Sequence, residues 1–274
     1  MSDTTPIYDS TRLPPAAIDE LLQAARYRDL IMQLIRRDIV TRYKRSALGV
    51  AWTMFNPLGM MLVLLLAFSA IFGADKSYAV YLMTGLVVWN FFSQATTSAM
   101  TQLASGGTLL NRIYLPRVSF ALSAVGTGLA NLLLSLIPLA LVMAVTKTPL
   151  HSTIVLLPIA ILLSALFALG VGLLLSTLAV YFPDIVEMYQ IALLAWMYLT
   201  PIIYPETIVP IAYRWWMFNL NPMYHLVKLF RLSLLYGTWS SPAEFTITVA
   251  VAVGMVFFGW IVFTRKADEF AYRA

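Results

Sequence analysis

In 274 residues the chain carries 60% hydrophobic and 11% charged side chains, with a net charge of +5. A soluble domain has roughly 45–50% apolar and about 25% charged residues, so this balance excludes an ordinary soluble protein and marks a polytopic membrane protein. Cysteine is absent, which excludes disulfide frameworks, cysteine-ligated zinc and thiol nucleophiles.

Residues 1–19 read as a flexible N-terminus and 20–45 as one helix, with Leu30, Ile31, Leu34, Ile35 and Ile39 on one side and Arg28, Arg36, Arg37 and Arg42 interleaved. That pattern predicts an amphipathic helix lying in the cytoplasmic membrane interface, apolar face in lipid and basic groups toward headgroups. No charge occurs from Ser46 to Ala74, which places a first span near 52–73. Asp75 and Lys76 break it, and a second apolar run covers 79–100. A polar stretch with Gly106, Gly107 and Pro116 leads to a third span at 118–145, then a tight turn and a fourth at 153–180. Asp184 and Glu187 close the fourth; a fifth span is expected at 188–204 and a sixth at 244–263, with 265–274 as tail. A spanning helix needs about 20 predominantly apolar residues, so 46–264 is expected to be one all-α domain of six spans.

Basic residues assign the sides. Arg12, Arg26, Arg28, Arg36, Arg37, Arg42, Lys44 and Arg45 precede the first span, Arg112 and Arg117 lie in the second loop, and Arg265, Lys266 and Arg273 in the tail. The other face has Lys76, Lys147, Arg214, Lys228 and Arg231. Positive charge accumulates on the cytoplasmic side, so both termini are expected there, and the net charge needs no nucleic-acid partner.

Residues 205–243 are too apolar for a solvated loop and too broken for a span: Trp215, Trp216, Phe218, Tyr224, Phe230 and Trp239 are interrupted by Pro205, Pro210, Pro222 and Gly237. A re-entrant helical hairpin at the outer face fits, since irregular backbone is tolerated at membrane depth where protein surrounds it. An aromatic belt carrying two short surface helices is the alternative.

Catalytic and energy-coupling signals are weak. His151 and His225 have no paired carboxylates near them in sequence, and the middle of each span lacks Asp, Glu, Lys and Arg. Intramembrane ionisable groups are the usual mark of proton relays and ion-coupled carriers. No G-x-x-x-x-G-K-[ST] loop occurs; Gly73-Ala-Asp-Lys76-Ser77 lacks its first glycine. Energy for uphill movement must come from another chain, no metal is expected, and the chain itself is not expected to be an enzyme.

The stretch Arg36 to Pro57, RRDIVTRYKRSALGVAWTMFNP, runs from basic residues through Leu48-Gly49 into Trp52 and Pro57. Leu109-Leu-Asn-Arg112-Ile-Tyr-Leu-Pro116-Arg117, Phe182-Pro-Asp184-Ile, Pro201-Ile-Ile-Tyr204-Pro205 and Leu220-Asn221-Pro222-Met223 follow in order. Together they resemble the membrane subunits of ABC-2 exporters for O-antigen, capsular polysaccharide or teichoic acid, in the cytoplasmic (inner) membrane of bacteria. The resemblance implies a homodimeric permease paired with two P-loop ATPase subunits, which bind ATP and Mg, and a substrate that is a lipid-linked polysaccharide.

By the same resemblance, Leu109, Leu110, Asn111, Arg112, Ile113, Tyr114 and Arg117 would form a coupling helix docked on the ATPase. Arg36, Arg37, Arg42, Lys44 and Arg45 would hold the pyrophosphate headgroup through charge-assisted bonds; binding of anionic membrane lipid by such a cluster is the plainer reading. Trp89, Phe91, Phe92, Trp196, Tyr198 and Tyr204 are the aromatic candidates for a glycan channel. Trp215, Trp216, Asn221, Pro222 and Tyr224 would belong to an outer gate. Two other readings remain: export of a small hydrophobic compound, and a membrane acyl- or glycosyltransferase using Asp184/Glu187 or Glu206/His225.

Overall fold

The computed structural model describes residues 16–44, 48–49, 51–72, 76–105 and 116–266. Among these the chain is all-helical, with no strand. Helices α1 (Ala16–Arg26) and α2 (Arg28–Tyr43) meet at Tyr27, so the amphipathic region is two helices where the sequence suggests one. Then follow α3 (Ala51–Phe72), α4 (Lys76–Ser105), α5 (Val118–Thr146), α6 (Leu157–Tyr181) and α7 (Ile185–Leu199). Two short helices, α8 (Ile211–Arg214) and α9 (Pro222–Arg231), each continue into a π turn, at Trp215–Asn219 and Leu232–Tyr236, before α10 (Pro242–Lys266).

Among the described residues, four helical segments are long and apolar enough to cross a membrane: Ala51–Phe72, Val118–Thr146, Ser152–Tyr181 and Pro242–Lys266. These are the first, third, fourth and sixth of the expected spans. Helix α4 has the length but interrupts its apolar residues with Asn90, Gln94, Thr96, Thr97, Thr101 and Gln102. It occupies the centre, packed against α3, α5, α6, α7 and α9, with Thr96 fully buried and the other polar groups half-buried. Helix α7 is apolar but only 15 residues long.

Small residues set the packing distances. The missing Cβ of Gly170 would stand 2.4 Å from the Met255 carbonyl oxygen, and that of Gly259 2.1 Å from the Gly170 oxygen. Helices α6 and α10 therefore cross backbone to backbone, a contact only glycine permits. On its other side α6 sets Gly172 against Ala99 of α4, and Ser176 Oγ donates to the Ala99 carbonyl at 2.9 Å. Gly172 thus serves packing within the chain.

The apolar side of α2 meets protein, not only lipid. Leu34 is buried, and Ile35 lies over α5 where Gly126 leaves room: a Cβ there would come 2.4 Å from Ile35 Cδ1. Arg28, Arg36 and Arg42 are exposed.

Candidate functional site

A groove of about 300 Å³ opens between the end of α2 and helices α3, α4 and α5. Its polar lining is built from helical repeats: Asn90 and Gln94 lie one turn apart on α4, as do Asn131 and Ser135 on α5. Residues four apart share a helix face, so each pair projects into the same space. Trp52 and Phe91 supply aromatic surface, and Arg42 the one cation among the lining residues.

Pro57 explains part of this polarity. A proline inside a helix has no N–H to bond the carbonyl four residues earlier, here that of Thr53. Ser135 Oγ approaches the Thr53 carbonyl at 3.3 Å while bonding the Asn131 carbonyl at 2.8 Å, and ties α3 to α5. Asn131 Nδ2 donates to Gln94 Oε1 at 2.6 Å, tying α5 to α4. The result is neutral amides and hydroxyls beside aromatic rings, the surface chemistry that suits a hydroxyl-rich, C–H-faced ligand.

A second groove, of about 450 Å³, lies between α7 and the first π turn and is lined by Trp196, Leu199, Trp216, Met217, Leu220, Asn221 and Pro222. It joins one channel candidate, Trp196, to three gate candidates. Asn221 is buried and fully used: its Oδ1 accepts from Met223 N at 3.1 Å and from Trp196 Nε1 at 2.8 Å, and its Nδ2 donates to Thr200 Oγ1 at 2.9 Å. It caps α9, with Pro222 at the first helical position, where proline's missing N–H costs nothing.

The structure sorts the other candidates. Trp89 and Phe92 are buried with Trp196 and Phe167 in one aromatic cluster, ring centroids 5.2–6.4 Å apart. Phe91 lines the first groove. Tyr198 is exposed, and its carbonyl accepts from Tyr204 Oη at 2.9 Å. Trp215 and Trp216 are exposed, while Tyr224 is buried and stacked on Phe218 at 4.7 Å. Burial, and the Glu206 carboxylate that accepts from the Tyr224 hydroxyl at 3.0 Å, push that phenol up to about 12. Arg37 pairs with its neighbour Asp38 at 2.9 Å, and Lys44 is exposed at the end of α2. Arg117 is half-buried at the N-cap of α5. Arg45, Leu109, Leu110, Asn111, Arg112, Ile113 and Tyr114 lie outside the described residues. Among the described residues no group of three His, Asp or Glu side chains gathers as a metal site.

Sequence reasoning passed over Arg231, counting it only as an outer-face cation. It is 1% exposed. Its guanidinium stacks on the Tyr81 ring at 3.5 Å and donates to the carbonyls of Pro201 at 2.7 Å, Ile202 at 3.3 Å and Tyr81 at 3.4 Å. Tyr81 Oη donates to the Pro201 and Tyr204 carbonyls, and Tyr78 Oη to that of Ile203, at 2.8–2.9 Å. The turn after α7 is thus fastened by α4 and α9 through its own backbone oxygens.

The described helices have relatives. The ABC-2 type transporter family matches residues 29–235, and the chain belongs to that family. Among individual proteins, it is 30% identical over 250 residues to the O-antigen export system permease protein RfbA of Myxococcus xanthus, covering 90% of this chain and 95% of that one. It is 26% identical over 236 residues to an RfbA of Klebsiella pneumoniae, covering 84% and 91% respectively. With the polysialic acid transport protein KpsM of Escherichia coli it shares 24% over 242 residues, covering 86% and 92%.

Proposed function

We propose that this chain is the membrane subunit of an ATP-driven exporter of lipid-linked polysaccharide, working as a homodimer with two copies of a P-loop ATPase in the cytoplasmic membrane. The observation that carries this reading is the inner groove: amides, hydroxyls and aromatic rings from α3, α4 and α5, with Arg42 at its cytoplasmic mouth. Sugars present C–H faces that stack on rings and hydroxyls that exchange bonds among amides. The absence of charge deeper in the groove lets a polymer slide instead of binding tightly. Export of a small hydrophobic compound would call for an apolar lining in its place.

On this reading α4 and α7 complete six spans, with both termini in the cytoplasm. Helix α4 carries its polar residues because they face its neighbours and the groove, and α7 is extended to membrane depth by the fastened turn at Thr200–Tyr204. Helices α8 and α9 form an outer re-entrant hairpin: α9 is almost wholly buried against α4, α6 and α10, the condition under which broken helix is stable at that depth. The segment 106–115, between α4 and α5, receives the ATPase, which holds ATP and Mg. Arg36, Arg42 and Lys44 face the headgroups.

The test is co-purification from native membranes followed by reconstitution. The expected outcome is a stoichiometric P-loop ATPase, lost on replacing Arg112 and Tyr114, and ATP-dependent movement of lipid-linked polysaccharide into proteoliposomes. A chain that purifies alone, or a complex that hydrolyses ATP and moves no glycan, refutes the reading.

A further inference from the structure

Asp38 sits among arginines on α2, yet its two oxygens have separate partners. Oδ1 accepts from Arg37, at 3.1 Å from Nε and 2.9 Å from Nη2, whereas Oδ2 accepts from Gln102 Nε2 of α4 at 3.0 Å. The Asp38 side chain is only 18% exposed. The Gln102 amide is also used at both ends, because its Oε1 accepts from Ser123 Oγ of α5 at 3.3 Å. One helical turn away α2 meets α5 directly, where Ile35 occupies the space over Gly126. A polar bond and an apolar seat together hold α2 at a single register on α4 and α5.

The position of this junction gives it a consequence. Gln102 lies within one turn of Ser105, where the described part of α4 ends and the 106–115 segment begins. Arg42, at the groove mouth, is four residues beyond Asp38 and therefore on the same face of α2. A displacement of the cytoplasmic end of α4 must then either break a hydrogen bond to an ionised carboxylate, the stronger kind, or carry α2 and Arg42 with it.

We propose that Asp38 and Gln102 are positioning residues forming a latch, which makes the end of α4 and the cation at the groove mouth move as one body. The latch rests on the reading that 106–115 takes the ATPase stroke. It gives that stroke a second output: besides tilting α4, it sets whether Arg42 stands at the mouth to hold the phosphate of the incoming lipid-linked glycan. Asp38 and Gln102 touch neither ATP nor substrate; they act through Arg42.

The experiment uses the complete complex in proteoliposomes, measuring ATP hydrolysis and polysaccharide translocation together. D38A and Q102A are expected to lower translocation at least about tenfold while hydrolysis stays within about twofold, so that the ratio of glycan moved to ATP spent collapses. The chain has no native cysteine, so D38C/Q102C offers two unique thiols. Bridging them in the folded complex with a short, reducible bis-thiosulfonate spacer is expected to restore translocation, and a reductant to abolish it again. A purely structural role would not be reversed in protein already folded.

Parental translocation by the single variants, a parallel fall of hydrolysis and translocation, thiols that cannot be bridged, or a bridged variant no better than the unbridged one would each overturn the latch. Failure of the exporter reading is distinct, since the parent complex would then translocate nothing.

Discussion

The α4–α6–α9 core and the flank formed by α1–α3 are held in different ways. In the core, backbone oxygens of the turn at Pro201–Tyr204 are taken up by Arg231, Tyr78 and Tyr81, and α6 meets α10 backbone to backbone. On the flank, α3 buries only Pro57, Met61 and Leu64 of its 22 residues and packs mainly on α4 and α5; α2 lies along α5, with Leu34 buried, Ile35 seated over Gly126 and Asp38 bonded to Gln102. The core is a frame fixed by contacts that tolerate no displacement, while the flank is attached at a few replaceable points, on the side that borders the inner groove. Parts that must move or take a partner belong to the second kind of attachment.

Removing the guanidinium that fastens the frame is expected to have the largest effect. Arg231→Met keeps the bulk but strands the carbonyls of Pro201, Ile202 and Tyr81 without this donor, at a cost of about 3 kcal/mol or more; the expected result is loss of folded protein by fluorescence-detected size exclusion. Gly170→Val comes next, since its side chain would meet the Met255 carbonyl and push α6 from α10 for roughly 3 kcal/mol, visible as a lowered Tm.

The groove should behave in the opposite way. In Gln94→Leu with Asn131→Leu both bonded partners become apolar together, which changes stability by only about 1 kcal/mol. Translocation is nevertheless expected to fall at least about tenfold, because the sliding surface has lost its amides. Equal loss of protein and transport in this variant would erase the distinction between frame and path.

The smallest effect is a pH dependence in the frame. Burial lowers the His225 pKa from its ordinary 6.5; the bond to the Asn219 carbonyl at 3.3 Å and Glu244 oppose the shift, while Lys228 adds to it. The unfolded chain then binds more protons near pH 6 than the folded one, so stability is full above the ordinary value and declines as the pH drops toward the folded one. Hydrogen exchange across residues 205–236 should rise modestly between pH 7 and 5, and His225→Asn should remove the dependence.

The all-helical class and the first, third, fourth and sixth expected spans were legible because uninterrupted apolar runs over 20 residues long admit few other structures. The groove was not legible, because its lining comes from four separate helices, α2 to α5, and most of it is not aromatic. Of the channel aromatics only Phe91 reaches the inner groove, while Trp89, Phe92 and Trp196 pack on one another, which periodicity cannot distinguish from lining. The Asn90/Gln94 and Asn131/Ser135 repeats were the available signal: polar side chains one turn apart inside apolar helices demand a common partner. Arg231 was hidden by its neighbours Lys228 and Arg214, which look like the same outer-face charge, and only tertiary structure brings the Pro201 and Ile202 carbonyls to it.

The polarity of α4 bears on how the protein is made. A helix carrying Asn90, Gln94, Thr96, Thr97, Thr101 and Gln102 partitions poorly into lipid by itself, and α7, at roughly 22 Å for its 15 residues, falls short of a bilayer core of about 30 Å. Neither is well suited to leave the translocon alone. On the six-span reading each would wait for a more apolar companion, α3 before α4 and α6 before α7, and integrate as a hairpin. Biogenesis would then proceed in helical pairs, with the helix that becomes the centre of the fold dependent at birth on the one that ends at its edge; insertion assays on α4 with and without α3 would measure that dependence directly.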